Sequence, residues 1–405
     1  MRILHFSKYD RKGGAAIAAI DSVRSQRALG VDARMFVGMK TGDLDFVGGP
    51  SGLGRLRSWA NFAVERLPFR LARLPRHDVR SLGLAGIDAP RIAAEAGADL
   101  VVLHNVDGLV RIVDLPRFAC PLIWRTHDMW AMCGTEHYVA DSAPYRAGSG
   151  APIPDRLSRW AFARKARAYA VTRSLTICAP SRWLRDEFAA SALFQGRTAV
   201  AIANGVDSDT FRPESRIEAR RALGLPEDAP LLLFGCSGGP ADPRKGFDLL
   251  VEGLRYAASD LAARGAELLV FGGELDRALL PPLPTHDLGR IDDRARLRLL
   301  YSAAHVTIVP SRLENLSLTV LESLACGTPV VAFAIGGMPD MIRHGDNGWL
   351  IPPFDTEALG RQLVAALDRP DMGEACRATI LEGFTHEVEG NAMIALFEAV
   401  LGGSG

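Results

Sequence analysis

The segment Pro310-Ser311-Arg312-Leu313-Glu314-Asn315-Leu316-Ser317-Leu318-Thr319-Val320-Leu321-Glu322 leads into the small-residue run Ala325-Cys326-Gly327-Thr328-Pro329. Before it, Ala304 to Val309 reads as a buried strand, and Leu318 to Cys326 reads as a helix. Glu314 therefore falls in a strand-to-helix loop, and Glu322 lies just over a turn inside the helix. Helical side chains lean toward the N-terminus, which directs Glu322 back at the loop carrying Glu314. Between the two acids, Asn315, Leu316, Ser317, Leu318 and Thr319 leave backbone N–H groups without intrahelical partners, at the positive end of the helix dipole. Such a helix start seats a phosphate. Carboxylates on both sides of an anion are unfavourable unless each has a polyhydroxylated partner. A nucleotide sugar offers both, a ribose for one acid and a hexose for the other.

A chain of 405 residues is too long for one core and implies two domains of roughly 150–200 residues. Lys+Arg and Asp+Glu balance at 47 each, so no global signal for nucleic acid exists. The six cysteines are scattered without a CxxC and sit mostly in apolar runs, as expected of reduced core thiols in a cytoplasmic protein. Met1-Arg2-Ile3-Leu4-His5-Phe6 reads as a first strand and not as a signal peptide. No apolar stretch is long enough to span a bilayer.

Apolar strand runs alternate with helical ones. Arg2–Phe6 is followed by a Gly13-Gly14 turn and an Ala-rich helix to about Leu29. Strands are expected at Asp32–Val37, Leu100–Leu103, Leu122–Arg125 and Leu175–Ala179. The first sheet ends near Val200–Asp207. The pattern then restarts with strands Leu231–Cys236, Glu267–Phe271, Val306–Val309, Val330–Phe333 and Trp349–Ile351. Helices are expected at Phe247–Ala258, Asp293–Ala303, Leu318–Cys326, Thr356–Leu367, Met372–Gly383 and His386–Leu401. This alternation predicts α/β architecture with parallel, doubly wound sheets.

The Glu-x7-Glu spacing, followed by a helix and Gly327-Thr328-Pro329-Val330-Val331, resembles the retaining glycosyltransferases of the two-Rossmann-domain (GT-B) fold, and among them family 4. The resemblance is densest from Leu231 to Pro353 and thins through the N-terminal half. It implies an acceptor-binding domain over 1–205, a nucleotide-sugar domain over 206–385, and a final helix within 386–405 crossing back to the first domain. The two sheets would face each other across a cleft. By the same resemblance Glu314 meets donor sugar hydroxyls, Glu322 meets the ribose, and the Asn315–Thr319 amides hold the diphosphate. Each such charge-assisted bond contributes roughly 1.5–3 kcal/mol.

Gly238-Gly239-Pro240-Ala241-Asp242-Pro243-Arg244-Lys245-Gly246-Phe247 follows a strand, where a lysine neutralises a leaving diphosphate as a point charge. The resemblance gives Lys245 that role. The family's additional arginine is replaced here by Gly239, for which Arg244 is the candidate substitute. Lys12-Gly13-Gly14 lets backbone approach a ligand at a helix start, and in the family this loop touches acceptor and donor phosphate. It is not GxGxxG, which disfavours a nicotinamide cofactor. His127, in Trp124-Arg125-Thr126-His127-Asp128, ends a strand and faces a ligand crevice. It matches the family histidine near the donor sugar and the reaction centre, which implies a catalytic role and contact with the acceptor. His137 is a candidate for the acceptor pocket or for a structural role, and His5 and His104 also end strands. A zinc site of His127, Cys133 and His137 lacks a fourth ligand. Asp292-Asp293 is not a DxD motif, so no metal or other cofactor is expected. Asn204-Gly205-Val206-Asp207 reads as an interdomain turn.

From Ser51 to Arg80 seven arginines face only Glu65 and Asp78, interleaved with Trp59, Phe62 and Phe69. Solvated helix faces account for this, and the sharper reading is peripheral contact with anionic membrane through Arg55–Arg80. The expected partners are thus a nucleotide-diphosphate sugar and a glycan or lipid-linked acceptor. Two rivals are a catalytically silent sugar-nucleotide binder and a sugar-nucleotide epimerase on the same fold.

Overall fold

The computed structural model describes residues 1–72, 78–235, 242–369 and 371–403. The chain divides into two compact units, Met1–Gly205 with Glu387–Gly405, and Val206–His386.

In the first unit the strands are β1 (Arg2–Tyr9), β2 (Asp32–Met39), β3 (Val47–Gly48), β4 (Leu100–Leu103), β5 (Leu122–Arg125), β6 (Leu175–Ala179) and β7 (Ala199–Ala201). They form one parallel sheet in the order β3-β2-β1-β4-β5-β6-β7. Its strands are apolar on both faces because helices cover both. Successive side chains alternate: Leu4, Phe6, Val101, Leu103, Leu122 and Trp124 join one core. Ile3, Leu100, Val102 and Ile123 join the other. The C-terminal helix His386–Gly402 supplies fully buried Met393 and Phe397 to that second core.

The second unit holds β8 (Leu231–Gly235), β9 (Glu267–Phe271), β10 (Thr285–Asp287), β11 (Val306–Val309), β12 (Val330–Phe333) and β13 (Gly348–Ile351). Their order is β10-β9-β8-β11-β12-β13, again all parallel. The helices Phe247–Tyr256 and Thr356–Leu367 pack on the same core. Gly253 and Gly360 let them approach closely, since a Cβ at Gly360 would press on the Gly253 carbonyl.

Three edge strands, β3, β7 and β10, extend the sheets beyond the expected runs. They are two or three residues long and partly exposed, so they carry little apolar signal. The helix expected over Phe247–Ala258 stops at Tyr256, and a separate one follows at Ala258–Ala263. Cys236 and Gly239 lie outside the described residues.

Candidate active site

In an open α/β sheet, ligands bind at the carboxyl ends of strands where the winding reverses. In the second unit that point lies between β8 and β11. A small open cleft lies there, lined among others by Gly235, Lys245, Pro310, Ser311, Ser317 and Thr319.

Glycine geometry brings the loops together. Gly246 has φ +67°, and a Cβ there would collide with the carbonyl oxygen of Pro310. The turn carrying Lys245 thereby lies flush against the loop after β11, and the Arg312 N–H donates to the Arg244 carbonyl at 2.7 Å. On the far side Gly336 has φ +51°, and a Cβ there would collide with the carbonyl oxygen of Glu314. The Gly337 N–H donates to that same oxygen at 3.2 Å. Glu314 is thus clamped between two close backbone approaches.

Within this clamp Lys245 Nζ lies 2.7 Å from Glu314 Oε2. Arg244 pairs with Asp242, with Nη2 2.6 Å from Oδ2 and Nε 3.1 Å from Oδ1. Lys245 ends a short 3-10 turn, Pro243–Lys245, ahead of the helix Phe247–Tyr256. Asp242 and Asp248 offset the positive charge at that helix start, the latter through Arg312 at 2.5 Å.

The helix Leu318–Ala325 begins at Ser317, whose hydroxyl bonds none of the first-turn N–H groups. With Ser317 and Thr319 on the cleft wall, that turn presents amide donors beside Lys245. Glu322 is one turn further on, where Tyr301 donates its hydroxyl to Oε2 at 2.9 Å. Burial, and then the Glu322 charge, push the Tyr301 phenol well above its ordinary pKa. Thr328 Oγ1 donates to the Tyr301 carbonyl at 2.7 Å, which ties the small-residue run to this carboxylate.

In the first unit the winding reverses between β1 and β4. Three imidazoles line up there. His5 on β1, His104 just past β4 and His127 just past β5 bond ring to ring, His5 Nδ1 to His104 Nε2 at 2.9 Å and His104 Nδ1 to His127 Nε2 at 3.0 Å. Neighbouring ring planes differ by 22° and 18°. Gln26 Oε1 closes the row 2.9 Å from His5 Nε2. Burial brings the His5 pKa down to about 4. Burial, and then the Arg125 charge, bring His127 down to about 3. His104 is also held well below its ordinary value, by burial and then by its two neighbours.

His137 belongs elsewhere. Its Nδ1 is 2.7 Å from Asp128 Oδ2 and its Nε2 is 3.0 Å from Ser81 Oγ. The ring is 2% exposed and stacks on Trp130 at 5.5 Å. With both nitrogens engaged inside the core, its surroundings match the structural one of the two roles considered above. The Ser81–His137–Asp128 order has the outline of a nucleophilic triad. Ser81 is fully buried, however, and donates its proton to Asp107 at 3.0 Å. Asp107 in turn pairs with buried Lys8. Burial favours the neutral acid, but the charge and hydrogen bond of Lys8, together with its other cationic neighbours, outweigh it and bring Asp107 down to about 2.

Gly13, with φ +85°, precedes the exposed start of the helix Gly14–Ala28. Its carbonyl accepts from the Ala16 and Ile17 amides at 3.1 and 3.2 Å. Among the described residues no group of three His, Cys, Asp or Glu is arranged to hold a metal. Cys133 is buried, and both ring nitrogens of His137 are taken by Asp128 and Ser81.

The sequence reading missed Gln26, Tyr301 and Asp242, and it left His5 and His104 as minor candidates. The available signal was the histidine at or near the carboxyl end of each of three apolar runs.

Residues 12–210 match the family model Glycosyltransferase Family 4, and residues 232–369 match Glycosyl transferases group 1. D-inositol 3-phosphate glycosyltransferase 1 of Catenulispora acidiphila is 38% identical over 221 residues, 50% of this chain and 52% of that one. The D-inositol 3-phosphate glycosyltransferase of Geodermatophilus obscurus is 34% identical over 233 residues, 54% of this chain and 50% of that one. The chain thus spans about half the length of these curated relatives. Among solved structures, sucrose-phosphate synthase from Thermosynechococcus elongatus superposes with a TM-score of 0.69 at 20% identity, covering 100% of both chains. Anabaena HepE in complex with UDP gives 0.67 at 16% identity, over 98% of this chain and 100% of that one. These likenesses establish the GT-B fold, with two Rossmann-like sheets.

Proposed function

Because the chain belongs to the family 4, group 1 glycosyltransferases, we propose that it moves a sugar from a nucleotide-diphosphate sugar to a hydroxyl acceptor with retention of configuration. The carrying observation is Lys245 beside Glu314 at a cleft walled by the first turn of the helix Leu318–Ala325. A diphosphate entering that cleft competes for Lys245 and frees Glu314 to accept from sugar hydroxyls. Glu322, aligned by Tyr301, takes the ribose. By their match to the family motifs, His127 is assigned to the donor sugar and the Gly13-Gly14 loop to the acceptor.

The new bond from the acceptor oxygen to the anomeric carbon forms on the face from which the bond to the diphosphate breaks. The acceptor proton passes to the departing phosphate oxygen. Lys245 and the helix amides stabilise the charge that develops there, and the protein otherwise positions the reactants. With these fixed donors at the leaving group, turnover is expected to need no divalent ion. Activity abolished by EDTA and restored by Mn²⁺ would count against that.

UDP-sugars are the first donors to test, since HepE was solved with UDP. A thermal-shift panel of UDP-, GDP-, ADP- and dTDP-sugars identifies the donor. Product analysis follows with glycan, lipid-linked and inositol phosphate acceptors. The reading expects one donor to raise the Tm and to be consumed only when an acceptor is present. Consumption without acceptor would point to an epimerase, and binding without turnover to a silent binder.

The acceptor reading includes contact with an anionic membrane. The helix Leu53–Leu71 is pinned on one side by buried Glu65, which accepts from the amides of Leu82, Gly83, Leu84 and Ala85 at 2.6–2.8 Å. Its other side exposes Leu53, Leu56, Val64, Leu67 and Leu71, between 50% and 86% each, with Arg57 and Arg70 alongside. Apolar side chains bordered by arginines suit a lipid-linked acceptor at the inner face of the membrane. No helix among the described residues is long and apolar enough to cross one. Sedimentation with anionic but not zwitterionic vesicles, lost in Leu56→Glu/Leu67→Glu, checks this.

A further inference from the structure

The histidine row in the first unit has a direction. Gln26 Nε2 donates to Ser22 Oγ at 3.2 Å, which leaves Gln26 Oε1 to accept from His5 Nε2–H at 2.9 Å. His5 Nδ1 must then accept, and His104 donates to it from Nε2 at 2.9 Å. His104 Nδ1 accepts in turn from His127 Nε2–H at 3.0 Å. With the Gln26 amide so oriented, every ring carries its single hydrogen on Nε2, and the row ends at the bare Nδ1 of His127. That nitrogen has no partner among the described residues.

Turning one ring to the other tautomer sets hydrogen against hydrogen or lone pair against lone pair. His5 is fully buried, Gln26 is fully buried and His104 is 2% exposed, so water cannot repair the mismatch. An unmade bond in such a place leaves a buried polar group unpaired, which disfavours the mismatched tautomer. The charged groups beside His127 are Arg125 and Asp128, and burial keeps all three rings neutral.

We propose that Gln26, His5 and His104 are positioning residues that hold His127 in its Nε2–H form, so that Nδ1 is offered as an acceptor to a hydroxyl of the bound sugar. The sugar contact rests on the functional reading above, whereas the tautomer control does not. Nothing in this row transfers a proton to the reacting bond. It selects which hydrogen bond His127 can make, and a neutral acceptor recognises a hydroxyl donor.

The test combines ¹⁵N-histidine NMR of the full chain with kinetics. In the wild type, His127 is expected with Nε2 protonated and Nδ1 bare at neutral pH. Gln26→Leu removes the terminal acceptor and is expected to give mixed tautomers at His127, with kcat/KM down about tenfold. Gln26→Glu, which keeps an acceptor there, is expected to recover most of that loss. A wild-type His127 protonated on Nδ1, or a His127 spectrum unchanged by Gln26→Leu, overturns the proposal. If the spectra agree but His127→Ala transfers sugar at the full rate, the sugar contact fails and the tautomer control stands.

Discussion

Lys245 Nζ stands 2.7 Å from Glu314 Oε2, although the two residues are 69 apart in sequence. Both side chains retain some solvent contact, 23% for the lysine and 14% for the glutamate. A pair of that exposure contributes only about 0–1 kcal/mol to stability. Its importance lies in holding a cation and an acid at the mouth of one cleft.

Replacing Lys245 by Ala should therefore separate catalysis from folding. Loss of a preorganised charge at the leaving group is expected to lower kcat/KM by about 10²–10³. The Tm should move by only a few degrees (about 2–4 °C per kcal/mol at this domain size). Steady-state kinetics and calorimetry on the same sample check both halves.

Gly246→Ala should damage both. The residue has φ +67°, and its new Cβ would press on the Pro310 carbonyl. The left-handed conformation alone costs a non-glycine residue about 1–2 kcal/mol. Relief of the clash must move Lys245 away from Glu314. A fall in Tm together with weaker donor binding is expected, and a variant with wild-type Tm and affinity would contradict the clamp.

Tyr301→Phe isolates the second carboxylate. The change deletes the hydroxyl that donates to Glu322 at 2.9 Å and leaves the ring in the core. Loss of one such bond, about 0.5–1.5 kcal/mol, is expected to raise the donor KM several-fold with little change in kcat. Donor titrations at saturating acceptor measure the split.

Acid should destabilise the fold before most carboxylates titrate. His5 and His305 are brought down to about 4 and His127 to about 3, in each case chiefly by burial. Between their ordinary value of about 6.5 and these lowered values, only the unfolded chain binds the protons. Stability therefore rises with pH through that window and falls on acidification, by up to about 1.4 kcal/mol per pH unit for each fully shifted group. Urea denaturation from pH 7 to pH 4.5 should show a declining midpoint, and a flat profile would contradict neutral buried rings.

The central strands were legible because short apolar runs bounded by turns have few alternatives. β4, β5, β6, β11 and β12 lie where that pattern places them. The edge strand Thr285-His286-Asp287 was not legible, being polar and held by pairing with β9. At the site, Glu314, Lys245, Ser317 and Thr319 stood out because their chemistry follows from a strand-to-helix junction. The histidine row did not, since it joins residues 99 and 23 apart whose bonds depend on strand order. The role of His137 stayed open for a related reason. Sequence places a histidine near a strand end but does not say that Ser81 and Asp128 will enclose it.

The most direct measurement is a crystal structure with UDP or a UDP-sugar bound. The account predicts the diphosphate within about 2.7–3.2 Å of Lys245 Nζ and of the first amides of the helix Leu318–Ala325, with Glu314 released from Lys245. A nucleotide bound elsewhere, with the Lys245–Glu314 contact intact, would contradict it.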